Sequence, residues 1–186
     1  MLKLKLTIVT ANNLKFEELS ALLSNYFECT QGVIKGYFEI QGTPEEIVAH
    51  KAQAAYDFFK KPVLVDDTSF GIDMLGGFPG PYMKDFTILL GIEEIGKRFA
   101  QEHAIVDCFL GIAYGADDIL IASGTVSGTL VEAVEPVSRE STDFDPIFIP
   151  TGSEKTFSRM TRQEKNSISH RGLAMRNLIK MIESRI

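Results

Sequence analysis

The stretch Pro62-Val63-Leu64-Val65-Asp66-Asp67 decides the fold class of this sequence. A short apolar run rich in β-branched residues is typical of a buried strand. The run stops abruptly at Asp66 and Asp67, and a loop rich in glycine and proline follows at Gly76-Gly77-Phe78-Pro79-Gly80-Pro81. The pattern therefore predicts a strand that ends at two adjacent carboxylates.

The residues before this strand predict a strand and two helices. Leu4 to Thr10 alternates in the manner of a strand, and leucines at helical spacing follow the polar turn Asn12-Asn13. Thr43-Pro44-Glu45-Glu46 has the pattern of a capping box with proline at the first helical position. We expect a helix to begin there and to continue to about Phe59.

The residues after the strand predict a hairpin, a further short strand and a terminal helix. Ile105 to Val134 contains long β-rich segments with turn residues at Gly115-Ala116-Asp117-Asp118. A strand is expected around Ile147 to Ile149, and a second capping box at Thr161-Arg162-Gln163-Glu164 precedes an amphipathic terminal helix. The pattern predicts one α/β domain, residues 1–186, with a mixed sheet.

Composition and charge exclude several classes of function. A net charge of −6 over 186 residues argues against a general nucleic-acid surface, because a phosphate backbone requires a basic stripe. No apolar run approaches the length that crosses a bilayer, and no signal peptide is expected. The two cysteines, Cys29 and Cys108, lie in separate strand-like runs, so we expect free thiols in a cytoplasmic protein.

Two local patterns suggest a site for a small anionic ligand. Thr10-Ala11-Asn12-Asn13 places a polar turn at a helix start with Lys15 one turn later, which suits an anion, although a solvated surface turn gives the same pattern. Asp66 and Asp67 point to opposite faces of a strand, so one can bind a hard cation while the other orients a second ligand. A turn-forming aspartate pair is the alternative.

Six blocks in order resemble the inosine triphosphate pyrophosphatase family. They span residues 10 to 172, nearly the whole chain, and any single block could arise by chance whereas the ordered set is specific. The blocks are Thr10/Asn12/Lys15, Phe38-Glu39-Ile40-Gln41-Gly42-Thr43-Pro44, Asp66-Asp67-Thr68, Gly76-Gly77-Phe78-Pro79-Gly80-Pro81-Tyr82, Phe144-Asp145-Pro146 and Glu164-Lys165-Asn166-Ser167-Ile168-Ser169-His170-Arg171-Gly172.

The resemblance implies a fold and an activity. The fold is a mixed, strongly twisted central sheet with flanking helices and two lobes around one cleft, in a protein that forms a homodimer. The activity is Mg²⁺-dependent hydrolysis of non-canonical purine nucleoside triphosphates (ITP, dITP and XTP) to the monophosphate and pyrophosphate. A triphosphate carries close to four negative charges, so a metal and several cations are needed around it.

The resemblance also assigns roles to residues. Asp67 is the expected catalytic residue that activates water, and the expected metal ligands are Glu39, Asp67 and Asp66. The expected phosphate-binding residues are Thr10, Asn12, Lys15, Lys51 and Lys165. The expected base-binding residues are Phe144, Asp145, Ser169, His170 and Arg171. Ser169 has a helix N-cap as a second interpretation that is compatible with the first, and His50 and His103 are expected at the surface without a role.

The sequence departs from the family pattern beside Phe144. Family members commonly have phenylalanine and glycine where this chain has Thr142 and Asp143. Loss of an aromatic face at Thr142 keeps a first rival open, a pyrophosphatase for modified pyrimidine or other aberrant nucleotides. A second rival is a nucleotide-binding regulator without turnover, against which Glu39, Asp67, Lys15 and Lys165 argue.

Overall fold

The computed structural model describes residues 3–139 and 141–185, except the side chain of Leu14. Within that part of the chain, seven strands and six α-helices follow one another. The strands are β1 (Leu4–Val9), β2 (Phe27–Gly32), β3 (Val63–Ile72), β4 (Pro79–Gly80), β5 (His103–Gly115), β6 (Asp118–Leu130) and β7 (Phe148–Pro150). The helices are α1 (Asn13–Leu23), α2 (Pro44–Phe59), α3 (Met83–Leu90), α4 (Ile92–Arg98), α5 (Arg162–Ile168) and α6 (His170–Glu183).

All strands belong to one mixed sheet with the order β2-β1-β3-β5-β6-β7, and β4 pairs with β3. Strand β1 is parallel to β2 and to β3, whereas β4 is antiparallel to β3 and β7 is antiparallel to β6. Only two residues separate β5 from β6, so these neighbours form an antiparallel hairpin. The predicted mixed α/β class is confirmed.

The chain divides into two compact units. The first comprises the chain up to Asp67, Phe109–Ser123 and the chain from Ala174 onward. Its buried cluster includes Val48, Ala52 and Ala55 from α2, which pack with residues of β3 and β5: Val63, Val65 and Ala113. Burial of this apolar face of α2 stabilises the helix and fixes the direction of its other side chains.

The second unit comprises Thr68–Cys108 and Gly124–Leu173. Its buried cluster is aromatic, with Phe70, Phe144, Phe148 and Phe157 among its members. Strands β3, β5 and β6 contribute residues to both units. The prediction of a single domain over residues 1–186 stays a prediction.

Strand β3 is longer than the sequence predicted. The expectation that it ends at Asp66-Asp67 is wrong, since it continues to Ile72. Its second half pairs with β4, where Phe70 lies opposite Gly80 and Gly71 opposite Pro79. The loop rich in glycine and proline thus supplies a strand partner in addition to a turn.

The part of the chain that is described contains no helix long and apolar enough to cross a membrane. Both cysteines are free thiols, with Cys108 buried and Cys29 half-buried.

Candidate active site

One lysine of the first unit lies among three oxygen atoms. Lys51 Nζ is 3.2 Å from Glu39 Oε1, 3.3 Å from Asp67 Oδ1 and 3.1 Å from the carbonyl oxygen of Asp66. Glu39 comes from the loop before α2, and both aspartates come from β3. Two carboxylates that the sequence separates by 28 positions therefore share one ammonium group.

The start of α2 fixes where Lys51 lies. Thr43 Oγ1 accepts a hydrogen bond from the backbone N–H of Glu46 at 3.3 Å, and Glu46 Oε2 accepts from the Thr43 N–H at 2.8 Å. This is the predicted capping box, with Pro44 at the first helical position. It sets the first residue of the helix, so Lys51 lies two turns further along.

Asp66 pairs with a different lysine. Its Oδ2 is 2.8 Å from Lys15 Nζ, and Asp66 is only 6% exposed. Successive side chains of a strand point to opposite faces, which explains why Asp66 and Asp67 contact different lysines. The interpretation of these residues as a turn-forming pair is wrong, because both lie inside β3.

Thr10 and Asn12 organise the start of α1. Asn12 Oδ1 accepts from the Lys15 N–H at 3.2 Å as the helix N-cap, and Thr10 Oγ1 accepts from the Asn12 N–H at 3.1 Å. These contacts place Lys15 in the first turn of the helix, next to its positive dipole end. The predicted phosphate roles of Thr10 and Asn12 stay predictions.

Burial and mutual repulsion perturb the charges of this cluster. Burial raises the pKa of Asp67, and Glu39 and Asp66 reinforce the rise while Lys51 opposes it. Burial would lower the pKa of Lys51, but the carboxylates of Asp67, Glu39 and Asp66 together raise it. The carboxylates thus repel one another and are held together by cations.

The donor set of this cluster fits a small hard cation. Among the described residues there is no group of three or more His, Cys, Asp or Glu side chains that could hold a metal ion by themselves. Mg²⁺ does not need one, because proteins usually bind it through one or two carboxylates while water and substrate phosphates complete the shell. Glu39 and Asp67 both face one cation in Lys51, and their predicted role as metal ligands stays a prediction.

A second cluster lies in the second unit, at the predicted base-binding residues. Lys165 Nζ contacts Asp145 Oδ2, and the Asp145 N–H donates to Asp143 Oδ1 at 3.1 Å. Burial, together with the neighbouring Asp143, raises the pKa of Asp145 to about 6, against the opposing effect of Lys165. Asp143, which replaces the family glycine, therefore acts on both the backbone and the charge of Asp145.

The junction between α5 and α6 carries the remaining polar residues. Ser169 Oγ accepts from the Gly172 N–H at 3.2 Å, which confirms its N-cap interpretation. Ser169, His170 and Arg171 are 1%, 2% and 8% exposed. The predicted contacts of these three residues with a base stay predictions.

Phe144 lies in the core. It is 5% exposed, and its ring stacks on Phe70 with centroids 5.2 Å apart and also packs near His170 at 5.7 Å. One ring face is therefore covered by protein. We expect the Phe144 ring to hold the His170 ring in place by packing against it. The predicted direct contact of Phe144 with a base stays a prediction.

The structure gives both surface histidines partners that the sequence did not indicate. His50 Nδ1 lies 3.0 Å from Tyr37 Oη, and His103 Nδ1 lies 2.6 Å from Asp73 Oδ2. Both histidines are exposed, as expected. The partners are 13 and 30 positions away in the chain, so no local pattern could have revealed them.

The site consists of buried carboxylates paired with lysines on a mixed α/β fold. Enzymes that act on phosphate compounds use residues of these kinds. The model of the Ham1 family matches residues 6–181, and the chain belongs to that family.

The chain is similar to curated relatives over most of its length. It is 41% identical over 155 residues to the inosine triphosphate pyrophosphatase of Encephalitozoon intestinalis. This match covers 79% of this chain and 78% of that protein. It is 33% identical over 179 residues to the dITP/XTP pyrophosphatase of Hyperthermus butylicus. This match covers 94% of this chain and 93% of that protein. The family resemblance inferred from the sequence is therefore confirmed.

Solved structures support the fold. A HAM1 protein from Coxiella burnetii matches with a TM-score of 0.81 at 24% identity, over 97% of this chain and 99% of that one. The Ham1 protein of Staphylococcus aureus matches with a TM-score of 0.76 at 21% identity, over 98% and 100%.

Proposed function

We propose that the protein hydrolyses non-canonical purine nucleoside triphosphates, ITP, dITP and XTP, to the monophosphate and pyrophosphate. Relatives at 33% to 41% identity are named for these activities, and the matches cover most of both chains. The observation that carries the proposal is the cluster in which Glu39 and Asp67 face a shared cation, while Lys15 pairs with Asp66. This cluster has the charges that a triphosphate and its metal require.

Mg²⁺ is the proposed cofactor. Its ligands are Glu39 and Asp67, supported by Asp66, which are hard oxygen donors without any soft ligand. When bound, the ion neutralises phosphate charge and polarises the bond to be broken.

The residues of the first unit act on the phosphates and on water. Lys15 and Lys51 offset the negative charge of the substrate. Asp67 takes the proton of the attacking water. Asp66 holds Lys15 in place through their 2.8 Å ion pair.

The residues proposed to bind the base are Asp145, Ser169, His170 and Arg171. A 6-oxopurine has an acceptor at the 6-oxygen and a donor at the adjacent ring nitrogen, whereas adenine reverses both. Ser169, His170 and Arg171 supply donors for the 6-oxygen, and the Asp145 carboxylate is available as an acceptor beside Lys165. Adenine would leave such buried groups unpaired, which is a strong basis for rejection.

A pyrophosphate-release assay over a panel of triphosphates tests this function. We expect catalytic efficiency on ITP, dITP and XTP to exceed that on ATP by at least a hundredfold, since discrimination of this kind reaches about ten-thousandfold. Comparable efficiency on ATP would contradict the proposal. A maximum on a modified pyrimidine triphosphate would support the first rival, and binding without turnover would support the regulator.

A homodimer in the cytoplasm is the proposed state of the protein. Support for the dimer comes from large apolar side chains exposed within one short segment of the second unit: Met74, Phe78, Tyr82, Ile88 and Leu89. Exposed apolar residues in such number mark association surfaces. Sedimentation equilibrium should give twice the chain mass of 20.6 kDa, and cell fractionation should recover the protein with cytosolic markers.

A further inference from the structure

We infer that Tyr37 and His50 form a positioning pair that holds Glu39 in place for the divalent cation. This inference rests on the proposed function, because it concerns the affinity of the proposed metal ligands. Neither residue is among those that the family resemblance assigned to the site.

The geometry places this pair directly beside the acid cluster, which consists of Glu39, Asp66 and Asp67 with their partners Lys15 and Lys51. Tyr37 Oη is 3.0 Å from His50 Nδ1, and the two rings lie with centroids 6.1 Å apart. Glu39 follows Tyr37 by two residues, and Lys51 follows His50 on α2. The contacts Tyr37 to His50 and Glu39 to Lys51 therefore run side by side, from the same loop to the same helix.

The loop that carries Glu39 has few polar attachments to α2. Residues 33–42 form neither helix nor strand, and Phe38, next to Glu39, is 88% exposed. In the described chain, two side-chain hydrogen bonds join this loop to α2, namely Tyr37 to His50 and Glu39 to Lys51. A loop with few anchors samples many conformations, and each anchor reduces the entropy that ordering Glu39 costs.

One of the two anchors conflicts with metal binding. Lys51 now contacts both Glu39 and Asp67, so a cation bound by these carboxylates would repel the ammonium group at close range. Once the ion is bound, the Glu39 to Lys51 contact is weakened. Ile34, at the start of the same loop, packs against the cluster that contains Val48, Ala52 and Ala55 of α2. The Tyr37 to His50 hydrogen bond is then the side-chain hydrogen bond that joins the part of the loop next to Glu39 to α2, so it contributes to metal affinity.

Removal of the Tyr37 hydroxyl should weaken metal binding without altering the rest of the site. A net hydrogen bond at a partly exposed position corresponds to about a two- to fivefold change in a binding constant. We therefore expect Tyr37→Phe and His50→Ala each to raise the half-saturating Mg²⁺ concentration by about two- to fivefold. The Michaelis constant for ITP and the turnover number at saturating Mg²⁺ should stay unchanged.

The experiment combines this kinetic measurement with direct binding of Mn²⁺ alone, followed by the electron paramagnetic resonance signal of the free ion. Tyr26→Phe is the matched control, because Tyr26 Oη donates to Glu183 Oε1 at 2.6 Å and is also half-buried in the first unit. It should leave both metal readouts unchanged. His50→Asn keeps a polar atom near the position of Nδ1 and should recover most of the affinity that His50→Ala loses.

Two results support the inference together: weaker Mn²⁺ binding in both deletion variants, and a double variant no weaker than either single one, as expected for two halves of one contact. The inference is overturned if Tyr37→Phe binds Mn²⁺ as tightly as the parent protein, or if Tyr26→Phe weakens binding equally. If the parent protein releases no pyrophosphate from ITP, the proposed function fails, whereas the Mn²⁺ comparison still decides this inference.

Discussion

Single residues of the acid cluster depend on one another because they are partly buried like charges. Lys51 holds Glu39 and Asp67 through contacts of 3.2 Å and 3.3 Å, while Lys15 holds Asp66 separately. The pKa of Asp67 rises because burial and two neighbouring carboxylates disfavour its charge. The carboxylates thus require positive charge close by, which the Mg²⁺ of the proposed function would add to that of Lys15 and Lys51.

Asp67→Asn should abolish most of the activity. Asparagine keeps the shape of the side chain but removes the charge that binds the metal and accepts a proton from water. General-base catalysis alone accelerates a reaction by about a hundred- to ten-thousandfold. The turnover number on ITP should therefore fall by at least about a hundredfold. Asp57→Asn is the control, because Asp57 pairs with Lys60 on the exposed surface of α2. A variant at Asp67 with more than about a tenth of the parent rate would exclude the catalytic role.

Asp145 should make folding stability depend on pH. Because its folded pKa of about 6 lies above the ordinary value of 3.8, the folded state disfavours the charged form. The contribution of Asp145 is therefore fully present below about pH 4 and is lost as pH rises through about 6.

Urea denaturation across pH 4 to 7.5 measures this effect. Relative to Asp145→Asn, the parent protein should lose up to about 3 kcal/mol of unfolding free energy over this interval. The exposed Asp85→Asn variant should follow the parent curve. Parallel curves for the parent and Asp145→Asn would show that Lys165 compensates the charge fully.

Helices and strands bring the residues of the site together. Where each helix or strand begins and ends determines the site more than how long it is. Both predicted capping boxes are present, at Thr43 and at Thr161, because each depends only on residues three positions apart. The length of β3 could not be predicted, since its second half depends on pairing with the distant β4. The same reason applies to the Tyr37 to His50 contact.

Gly172→Ala tests the junction between α5 and α6. A β-carbon at Gly172 would lie 1.9 Å from the carbonyl oxygen of Asn166, a backbone atom that cannot move without shifting α5. We expect a loss of about 1–3 kcal/mol in unfolding free energy, measured by urea denaturation.

Gly115→Ala is the control, because the nearest atom to a β-carbon there is Asp118 Cβ at 3.9 Å. Since α5 carries Lys165 and the junction carries Ser169 to Arg171, activity on ITP should fall together with stability in Gly172→Ala. Equal stability in both variants would contradict the tight junction.

At the scale of the whole molecule, the sequence predicted the fold class and the family, whereas the roles of the base-binding residues stay predictions. The ordered blocks led to the family, and the lysines and carboxylates at Lys15, Lys51, Asp66 and Asp67 lie in mutual contact as their charges suggest. The resemblance implied two lobes, but the segments that form each of the two compact units were not predicted, because they depend on contacts between distant parts of the chain. Phe144 is buried against Phe70 in an aromatic core that no local pattern defines, and its expected contact with a base stays a prediction.

The identity of the products tests the central claim most directly. ITP is incubated with the purified protein and Mg²⁺, and the products are followed by phosphorus NMR without any added pyrophosphatase. The account predicts inosine monophosphate and pyrophosphate in equal amounts, with no reaction when the metal is chelated. Inosine diphosphate and orthophosphate as the first products would contradict it.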